Sequence, residues 1–262
     1  MSEFWSKDEI EAMRLVLTLM QKNGRLANVS TIGDGVTHTE IPLNLQLCPL
    51  SPEAPLFRSL PFAKKVGDAV QQLLARDDAE LDCSVTAYLS QTFWKPPKHG
   101  LGTSAHQDNA YFEVPNGGRV GTAMWTAVHD ATIANGTLEV FPKTGHVLPH
   151  VRDGNSDHHI TCRDSLTESD GVPLELPAGG VAFFSFNTPH CTKANRTENA
   201  RAGIAYHFLR TDHYRDRHFP LPEEAQWITP IVAGPGSTGG VQEYGELADT
   251  WDEDVAAALA GR

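Results

Sequence analysis

The chain has 262 residues, 40% of them hydrophobic, and a formal net charge of −12 at pH 7. This length suffices to bury a core, whereas the acidic balance disfavours nucleic acid and anionic membranes as partners. The sequence shows no apolar stretch of membrane-spanning length, no secretory-signal layout and no Cys-x-x-Cys pair among its four cysteines, so we expect a cytoplasmic protein without disulfide bonds.

The N-terminal part, residues 1–80, is predicted to be a helical flank. Ser6 and Glu9 have the spacing of a capping box at the start of a helix over 6–23. Four apolar residues fall near one face of that helix, namely Ile10, Met13, Leu17 and Met20. A second helical pattern covers 56–76. We expect these helices to pack on the outside of a sheet.

Strand patterns dominate the middle of the chain. Alternating apolar and polar residues predict four strands, over 41–47, 81–93, 120–130 and 137–141. In the second strand, Gln91 shares a face with Val85 and Leu89. Trp125 lies in the third strand, where it can belong both to the core and to a pocket wall, since the two coincide in a small barrel. Asn135-Gly136 is a tight-turn signal before the fourth strand.

His106 and Asp108 lie between the second and third of these strands. If this segment is extended, their side chains point to the same side. Together with a second imidazole from elsewhere in the chain, they would form the two-His-one-carboxylate set that is typical of non-haem Fe(II) sites. The pair by itself is weak support, because a surface histidine near a surface aspartate is common.

Residues 145–171 show no clear period. A long segment of this kind within a compact domain is typical of a functional lid, and we interpret it as a flap over the mouth of the active site. The run Asp157-His158-His159 within it is either a separate metal site or part of a solvated loop. A solvated loop fits better, because adjacent residues of a strand point to opposite sides.

Two strand-like runs follow, over 179–190 and 201–209, separated by a polar, turn-rich segment. If the two runs form a hairpin, His190, Thr192 and Arg201 point into the same space, because opposed residues of an antiparallel pair share a face. Arg201 would then lie beside the metal site, where its guanidinium is suited to binding a carboxylate through two hydrogen bonds.

The C-terminal extension, residues 211–262, is rich in loops and ends in a predicted short helix. Thr250 and Glu253 have the capping-box spacing that would start this helix. The extension either covers one end of the core or forms a subunit contact, for instance in a homodimer.

Strands of this length and spacing, with helices mainly at the ends, favour a mainly β fold with flanking α. We expect an antiparallel double-stranded β-helix (a jelly-roll, cupin-like core) over 81–210, within a single domain over 1–262.

Several motifs resemble those of the phytanoyl-CoA dioxygenase family of Fe(II)- and 2-oxoglutarate-dependent oxygenases. In chain order they are Lys95-Pro96-Pro97, His106-Gln107-Asp108, the runs 124–132 and 135–146, and His190 to Arg201 with Thr192 and Asn195 between them. One segment departs from the family pattern, since Lys143-Thr144-Gly145-His146 stands where relatives carry a small residue before Gly-Ser-His. The role of His146 is therefore left open.

The resemblance implies an iron site formed by His106, Asp108 and His190. It also implies a 2-oxoglutarate pocket, in which Arg201 and Thr192 hold the distal carboxylate while Trp125 and Gln91 line the walls. The implied reaction consumes 2-oxoglutarate and O2, releases succinate and CO2, and oxidises an unactivated carbon. Hydroxylation, desaturation or a related oxidation fits an aspartate at position 108, because halogenating relatives carry a small residue there.

The substrate is less constrained by the sequence. Few lysines and arginines cluster near the predicted site, so we expect a small free metabolite rather than a CoA thioester. Four residues are candidate substrate contacts, each of which also suits a core or surface role: Tyr111, Phe112, Arg119 and Phe183.

Two other classes of protein fit parts of the pattern. A cupin-like metal-dependent isomerase or hydrolase uses the same ligands without 2-oxoglutarate, but it does not need Arg201 at its offset from His190. A non-catalytic small-molecule-binding module has no need to keep all three candidate ligands.

Overall fold

The computed structural model describes residues 1–29, 43–75, 83–142, 144–152, 160–213, 230–237 and 250–261. Its helices are α1 (Lys7–Lys22), α2 (Pro55–Ser59), α3 (Lys64–Leu74), α4 (Asn109–Phe112), α5 (Gly117–Val120) and α6 (Trp251–Ala260). Among the residues described, no helix combines the length and the apolar character that crossing a membrane requires.

The strands form three antiparallel sheets. In chain order they are β1 (Ala27–Asn28), β2 (Leu45–Leu47), β3 (Val85–Lys95), β4 (Thr103–His106), β5 (Gly121–Ala127), β6 (Leu138–Val140), β7 (Val151–Arg152), β8 (Ile160–Thr161), β9 (Val172–Pro173), β10 (Val181–Ser185), β11 (His190–Thr192), β12 (Arg201–Arg210) and β13 (Ile231–Ala233). The large sheet has the order β1-β2-β3-β12-β5-β10, with β13 paired to β3. The small sheet has the order β4-β11-β6-β9, and β7 pairs with β8.

The large and small sheets pack against each other. Trp125 of β5 and Ala205 of β12, both in the large sheet, share a hydrophobic cluster with Leu138 and Val140 of β6 in the small sheet. Burying apolar side chains between two antiparallel sheets removes them from water on both inner faces. This arrangement confirms the predicted double-stranded β-helix.

Helix α1 forms as predicted. The Ser6 hydroxyl accepts from Glu9 N at 3.3 Å, and the Glu9 carboxylate accepts from Ser6 N at 2.7 Å, which completes the capping box. The four apolar residues predicted to share a face are all buried. The flank packs on the outer face of the large sheet, where the Tyr206 hydroxyl of β12 donates to the carbonyl of Phe57 in α2.

The second helical pattern differs from the prediction, because it is broken into α2, a 3₁₀ turn over Leu60–Phe62, and α3. Pro61 lies within this turn. Proline has no N–H to donate, which removes a helical hydrogen bond at this position. Leu60, directly before it, keeps right-handed helical backbone, and the helical backbone ends at Ala63 (φ −54°, ψ 126°), directly before α3.

The C-terminal helix α6 packs against α1 and α2 of the helical flank. Trp251 Nε1 donates to Glu9 Oε1 at 2.7 Å, which ties the two ends of the described chain together. The predicted capping box is absent, because the Thr250 hydroxyl contacts the carboxylate of Asp254 at 3.1 Å and makes no capping bond to the backbone.

The ionised carboxylate of Glu9 stabilises this contact between the helices. Its carboxylate lies 2.6 Å from Lys65 Nζ. Burial by itself raises the pKa of Glu9, but the hydrogen bonds from Lys65, Trp251 and Ser6 outweigh burial, so the pKa is lowered. A carboxyl with a lowered folded-state pKa contributes stability above its unfolded pKa, about 4.3, and loses that contribution as the pH falls through the folded value.

We therefore expect Glu9→Gln to lower the free energy of unfolding by about 1–2 kcal/mol at pH 7, with the deficit shrinking as the pH falls below about 4. Urea denaturation of both proteins across this pH range measures it. Glu11→Gln is the control, because Glu11 pairs with Arg14 at 2.7 Å on the half-exposed side of α1, and such pairs contribute only a few tenths of a kcal/mol. An equal loss in the two variants, or a pH-independent deficit for Glu9→Gln, would contradict the expectation.

Candidate active site

His106 and Asp108 come together through a turn rather than along an extended strand. Strand β4 ends at His106, and Asp108 adopts right-handed helical backbone (φ −55°, ψ −37°) directly before α4. The prediction that both residues lie on one extended segment is therefore wrong. The turn begins here because Tyr111 N and Phe112 N donate to the carbonyl of Asp108, which starts the short helix.

The second imidazole comes from the neighbouring strand of the small sheet. Strand β11 pairs with β4 so that His190 lies directly opposite His106, and the ring centroids are 4.4 Å apart. Asp108 Oδ1 lies 3.6 Å from His190 Nε2 and 3.9 Å from His106 Nε2. One ligand atom from each of the three residues lies within 4.8 Å of the others. An ion with bonds of about 2.0–2.2 Å can bridge such separations.

The backbone holds both imidazoles with the same nitrogen turned toward the carboxylate. His106 Nδ1 lies 2.8 Å from the carbonyl of Ser104, and His190 Nδ1 lies 3.0 Å from the carbonyl of Thr188. Since a carbonyl can only accept, each Nδ1 carries a proton, which leaves each Nε2 as the nitrogen available to a metal ion. This arrangement is usual for metal-binding histidines.

The carboxylate between the imidazoles is buried and ionised. Burial by itself would raise the pKa of Asp108, but the surrounding imidazoles, with His190 and His207 foremost, outweigh burial and hold this pKa well below its usual range. A carboxylate must be deprotonated to bind a metal ion. The three residues therefore fit a divalent metal ion by position, tautomer and charge.

Arg201 is fully buried near this cluster. Its Nη2 donates to the carbonyl of Gly136, whereas Nε and Nη1 have no hydrogen-bond partner among the described residues. Its guanidinium carbon lies 5.5 Å from the centre of the Trp125 ring. Burial lowers the pKa of Arg201 to about 9. A buried cation with unsatisfied donors is costly without an anionic acceptor, so the geometry suits a ligand carboxylate.

His190 and Arg201 do not face each other across a hairpin, and that prediction is wrong. Strand β11 pairs with β4 and β6 in the small sheet, whereas β12 pairs with β3 and β5 in the large one. The intervening segment crosses between the sheets and is held by Asn195, whose side-chain amide donates to the carbonyls of Lys95 and Pro96. His190 and Arg201 nevertheless line one cavity, because the inner faces of the two sheets converge.

Two cavities share the candidate metal ligands His106 and Asp108, whereas His190 lines only the smaller one. The smaller one has a volume of about 40 Å³, and its walls include the four residues predicted for the 2-oxoglutarate pocket, Gln91, Trp125, Thr192 and Arg201. The larger one has a volume of about 190 Å³ and is lined in part by Tyr111 and Phe112. Gln91, His106 and Asp108 belong to both walls, so a molecule in either cavity lies beside the metal ligands.

The other two predicted substrate contacts lie elsewhere. Arg119 is exposed in α5 and does not line either of these cavities. Phe183 packs in the core with its ring 5.9 Å from that of Phe4. Its neighbour Phe184 lines the smaller cavity, 4.6 Å from the His190 ring. Adjacent residues of a strand point to opposite faces, so the choice between the two phenylalanines depends on which face of β10 is inward.

His207 and Lys95 belong to the site but were not identified from the sequence. His207 Nε2 lies 3.3 Å from Asp108 Oδ2. Lys95 Nζ donates to the carbonyls of Leu101 and Lys193 beneath the smaller cavity. For His207 a signal existed, since positions 201, 203, 205 and 207 share one face of a strand that begins at Arg201.

The described parts of the predicted flap are anchored to the turn that carries Asp108. The Gln107 side chain donates to the carbonyl of His146 at 2.8 Å and accepts from Leu148 N at 2.7 Å. On the other side, the Tyr111 hydroxyl accepts from Ile160 N at 3.1 Å. The run Asp157-His158-His159 lies outside the described residues.

Solved structures share this fold. EvdO2 from Micromonospora carbonacea var. aurantiaca, complexed with 2-oxoglutarate, is 23% identical with a TM-score of 0.59, and the match covers 85% of this chain and 89% of that one. The epimerase SnoN, in complex with Fe3+, alpha ketoglutarate and nogalamycin RO, is 15% identical with a TM-score of 0.65 and 90% coverage of both chains. At these identities the likeness shows the fold alone.

Sequence comparison identifies the family. A "Probable phytanoyl-CoA dioxygenase" of Caenorhabditis elegans is 32% identical over 156 residues, which are 56% of this chain and 48% of that protein. The chain spans about half the length of the curated relatives it matches. A family model described as "Phytanoyl-CoA dioxygenase (PhyH)" matches residues 2–203, which is most of the chain. The chain therefore belongs to the phytanoyl-CoA dioxygenase family.

Proposed function

We propose that the protein is a non-haem Fe(II)- and 2-oxoglutarate-dependent dioxygenase that hydroxylates an unactivated carbon of a small-molecule metabolite and releases succinate and CO2. One observation carries the proposal: the three-residue metal cluster lies beside the fully buried Arg201, which has two unpartnered donors. Family membership supports the proposal, and so does the structure of EvdO2, a protein of similar fold that was solved in complex with 2-oxoglutarate.

His106, Asp108 and His190 would hold the iron. When bound, the iron couples the reduction of O2 and the oxidative decarboxylation of 2-oxoglutarate to the oxidation of a substrate C–H bond. The chain contributes fixed ligand positions. The carbonyls of Ser104 and Thr188 orient the two imidazoles before any metal arrives, which reduces the ordering that metal binding would otherwise require.

The smaller cavity, with a volume of about 40 Å³, would hold the distal carboxylate of 2-oxoglutarate, and the rest of the molecule would extend to the candidate metal ligands that both cavities share. The guanidinium of Arg201 would donate to the distal carboxylate through Nε and Nη1, its two unpartnered groups. The Thr192 hydroxyl, which accepts from Thr103 N at 3.1 Å, keeps its proton free for the same carboxylate. Trp125 and Gln91 form parts of the wall. A carboxylate at this position would compensate the buried positive charge.

The larger cavity would bind the substrate. Its volume of about 190 Å³ is below the range of about 300–1,000 Å³ that is usual for drug-sized ligands. Tyr111 and Phe112 line it, and the Tyr111 ring lies edge-on to His106 with the centroids 5.8 Å apart. These features favour a small metabolite held against the metal site.

We expect Tyr111→Ala to raise the KM for the substrate at least about tenfold, equivalent to about 1.4 kcal/mol of binding, because the ring forms part of the cavity wall beside His106. Substrate-independent turnover of 2-oxoglutarate should stay within about twofold, since the variant leaves the metal ligands and the smaller cavity intact. The measurement is succinate formation with and without substrate. Arg119→Ala is the control, and a KM that rises in the control but not in Tyr111→Ala would locate the substrate elsewhere.

A screen of small metabolites for substrate-stimulated succinate formation, with Fe(II), 2-oxoglutarate and air, tests the whole proposal. Mass spectrometry of the product then separates hydroxylation, which adds one oxygen atom, from desaturation, which removes two hydrogen atoms. A metal-dependent isomerase or hydrolase would convert its substrate without releasing succinate, and a binding module would convert nothing. Iron-loaded protein without affinity for 2-oxoglutarate would refute the proposal.

The proposal also covers the domain organisation, assembly, location and partner of the enzyme. We propose one oxygenase domain, supported by the shared core of α1, α6 and the large sheet, and a homodimer as the assembly. A cytoplasmic location is supported by the sequence, which has four scattered cysteines and no Cys-x-x-Cys pair. The net charge of −12 supports a small molecule, rather than nucleic acid or an anionic membrane, as the partner.

A further inference from the structure

The two carboxylate oxygens of Asp108 face different imidazoles. Oδ1 faces the small sheet, 3.6 Å from His190 Nε2 and 3.9 Å from His106 Nε2. Oδ2 faces the large sheet, where His207 Nε2 of β12 lies 3.3 Å away. The carboxylate therefore lies between a pair of candidate metal ligands on one side and a third histidine on the other.

His207 is held in place by its surroundings. Its side chain is 4% exposed. Its ring lies 5.2 Å from that of Phe112, nearly perpendicular to it, and 5.9 Å from that of Phe186. Packing of this kind restricts the ring to small rotations, so its Nε2 stays near the carboxylate.

Asp108 Oδ2 needs a donor. Among the described residues it is a buried oxygen without a well-aligned hydrogen bond, and leaving a buried acceptor unsatisfied is destabilising. His207 Nε2 lies within hydrogen-bond distance of it, 3.3 Å away, and a small rotation of the ring suffices to align the bond. The residues that together offer metal ligands are His106, Asp108 and His190, without His207.

We propose that His207 is a positioning residue, whose Nε2–H donates to Asp108 Oδ2 so that only Oδ1 binds the metal. The inference rests on the proposed iron site and assigns a residue outside its ligand set. A donor on the second oxygen fixes the orientation of a ligating carboxylate and keeps it from occupying two metal positions. Groups with this role typically change metal affinity about 10–100-fold when they are removed.

Strand β12 would then serve both parts of the site. Arg201 and His207 lie on its inward face, six residues apart, with Gly203 between them. A Cβ at Gly203 would lie 2.7 Å from the Trp125 ring, so glycine lets that ring pack against the strand. One strand thus carries the proposed anchor of the diacid and the proposed donor to the metal ligand.

Titration of the purified, metal-free full chain with Co(II) tests the inference without any turnover. Calorimetry gives the dissociation constant, and the visible absorption of bound Co(II) reports the ligand geometry. We expect His207→Leu to weaken Co(II) binding at least about tenfold and to alter the spectrum. His207→Gln should bind within about threefold of the native chain, because its amide nitrogen can occupy the position of Nε2 and donate to Oδ2.

The outcomes separate the alternatives. Unchanged affinity and spectrum in a folded His207→Leu variant would overturn the positioning role. An equal loss in the Leu and Gln variants would also overturn it, since His207 would then act as a ligand rather than as a donor. If His207→Leu does not fold, His207→Asn replaces it, because its shorter amide cannot reach Oδ2; affinity equal to that of the Gln variant would overturn the proposal.

His106→Ala separates this inference from the proposed function. If the native chain and His106→Ala bind Co(II) equally, the metal site itself is elsewhere and both proposals fail. If His106→Ala loses binding while His207→Leu does not, only the role of His207 is refuted.

Discussion

Replacing Arg201 by leucine is expected to raise the KM for 2-oxoglutarate at least about 100-fold. The buried guanidinium offers two donors, Nε and Nη1, that have no partner in the part of the chain that the structure describes. Removing one member of a buried charge pair typically costs about 2–5 kcal/mol, and each 1.4 kcal/mol is about tenfold in affinity. Succinate release as a function of 2-oxoglutarate concentration measures the effect in metal-loaded protein.

Two comparisons make this result specific. Arg201→Lys keeps the charge but presents it as a point rather than a planar fork, so we expect a KM between those of the native enzyme and the Leu variant. The affinity for Co(II) should stay within about threefold in both variants, because neither change touches a proposed metal ligand. Since Arg201 also donates to the carbonyl of Gly136, circular dichroism must show that the variants are folded. An unchanged KM in folded Arg201→Leu would exclude this residue as the anchor of the diacid.

Asp108→Ala is expected to weaken Co(II) binding at least about 100-fold and to reduce succinate release to background. The substitution removes the only carboxylate of the proposed cluster, and two imidazoles alone provide neither the negative charge nor the third ligand. The substitution also removes the negative charge that lies between His106, His190 and His207. A moderate excess of metal should therefore not restore Co(II) binding. Calorimetry and the succinate assay measure the two effects.

His158→Ala is the matched control for this experiment. The run Asp157-His158-His159 is another His/Asp cluster in the sequence, and its expected role is that of a solvated loop. We expect the control to bind Co(II) and to release succinate as the native chain does. Loss of the metal in His158→Ala together with retention in Asp108→Ala would move the metal site to that run.

The sequence predicted well those features that depend on neighbouring residues. The capping box of α1 and its apolar face follow from positions three and four residues apart. The alternation in β3 places Leu89 and Gln91 on one face, and both line the larger cavity. The predicted strand over 120–130 is observed as β5, Gly121–Ala127. Each of these patterns is set by the geometry of one element and needs no information about its partners.

The errors occur where two elements must be placed relative to each other. A hairpin and a crossing between two sheets are equally compatible with the polar segment that follows His190, and only the pairing of β11 with β4 decides between them. The choice between Phe183 and Phe184 depends on which face of β10 is covered by the core. The site role of His207 depends on β12 lying opposite the turn at Asp108.

The sequence by itself determined the chemical groups available to this protein: two imidazoles, one carboxylate and one arginine in a fixed order, together with the strand periodicity of a β-rich core. The tertiary structure decided which of these groups lie together in one site and which of the two sheets contributes each of them. Long-range pairing is specified by the summed burial of many side chains between two sheets rather than by any local run of residues. The contact between Asp108 Oδ2 and His207 therefore depends on the packing of the two sheets and cannot be predicted from either segment alone.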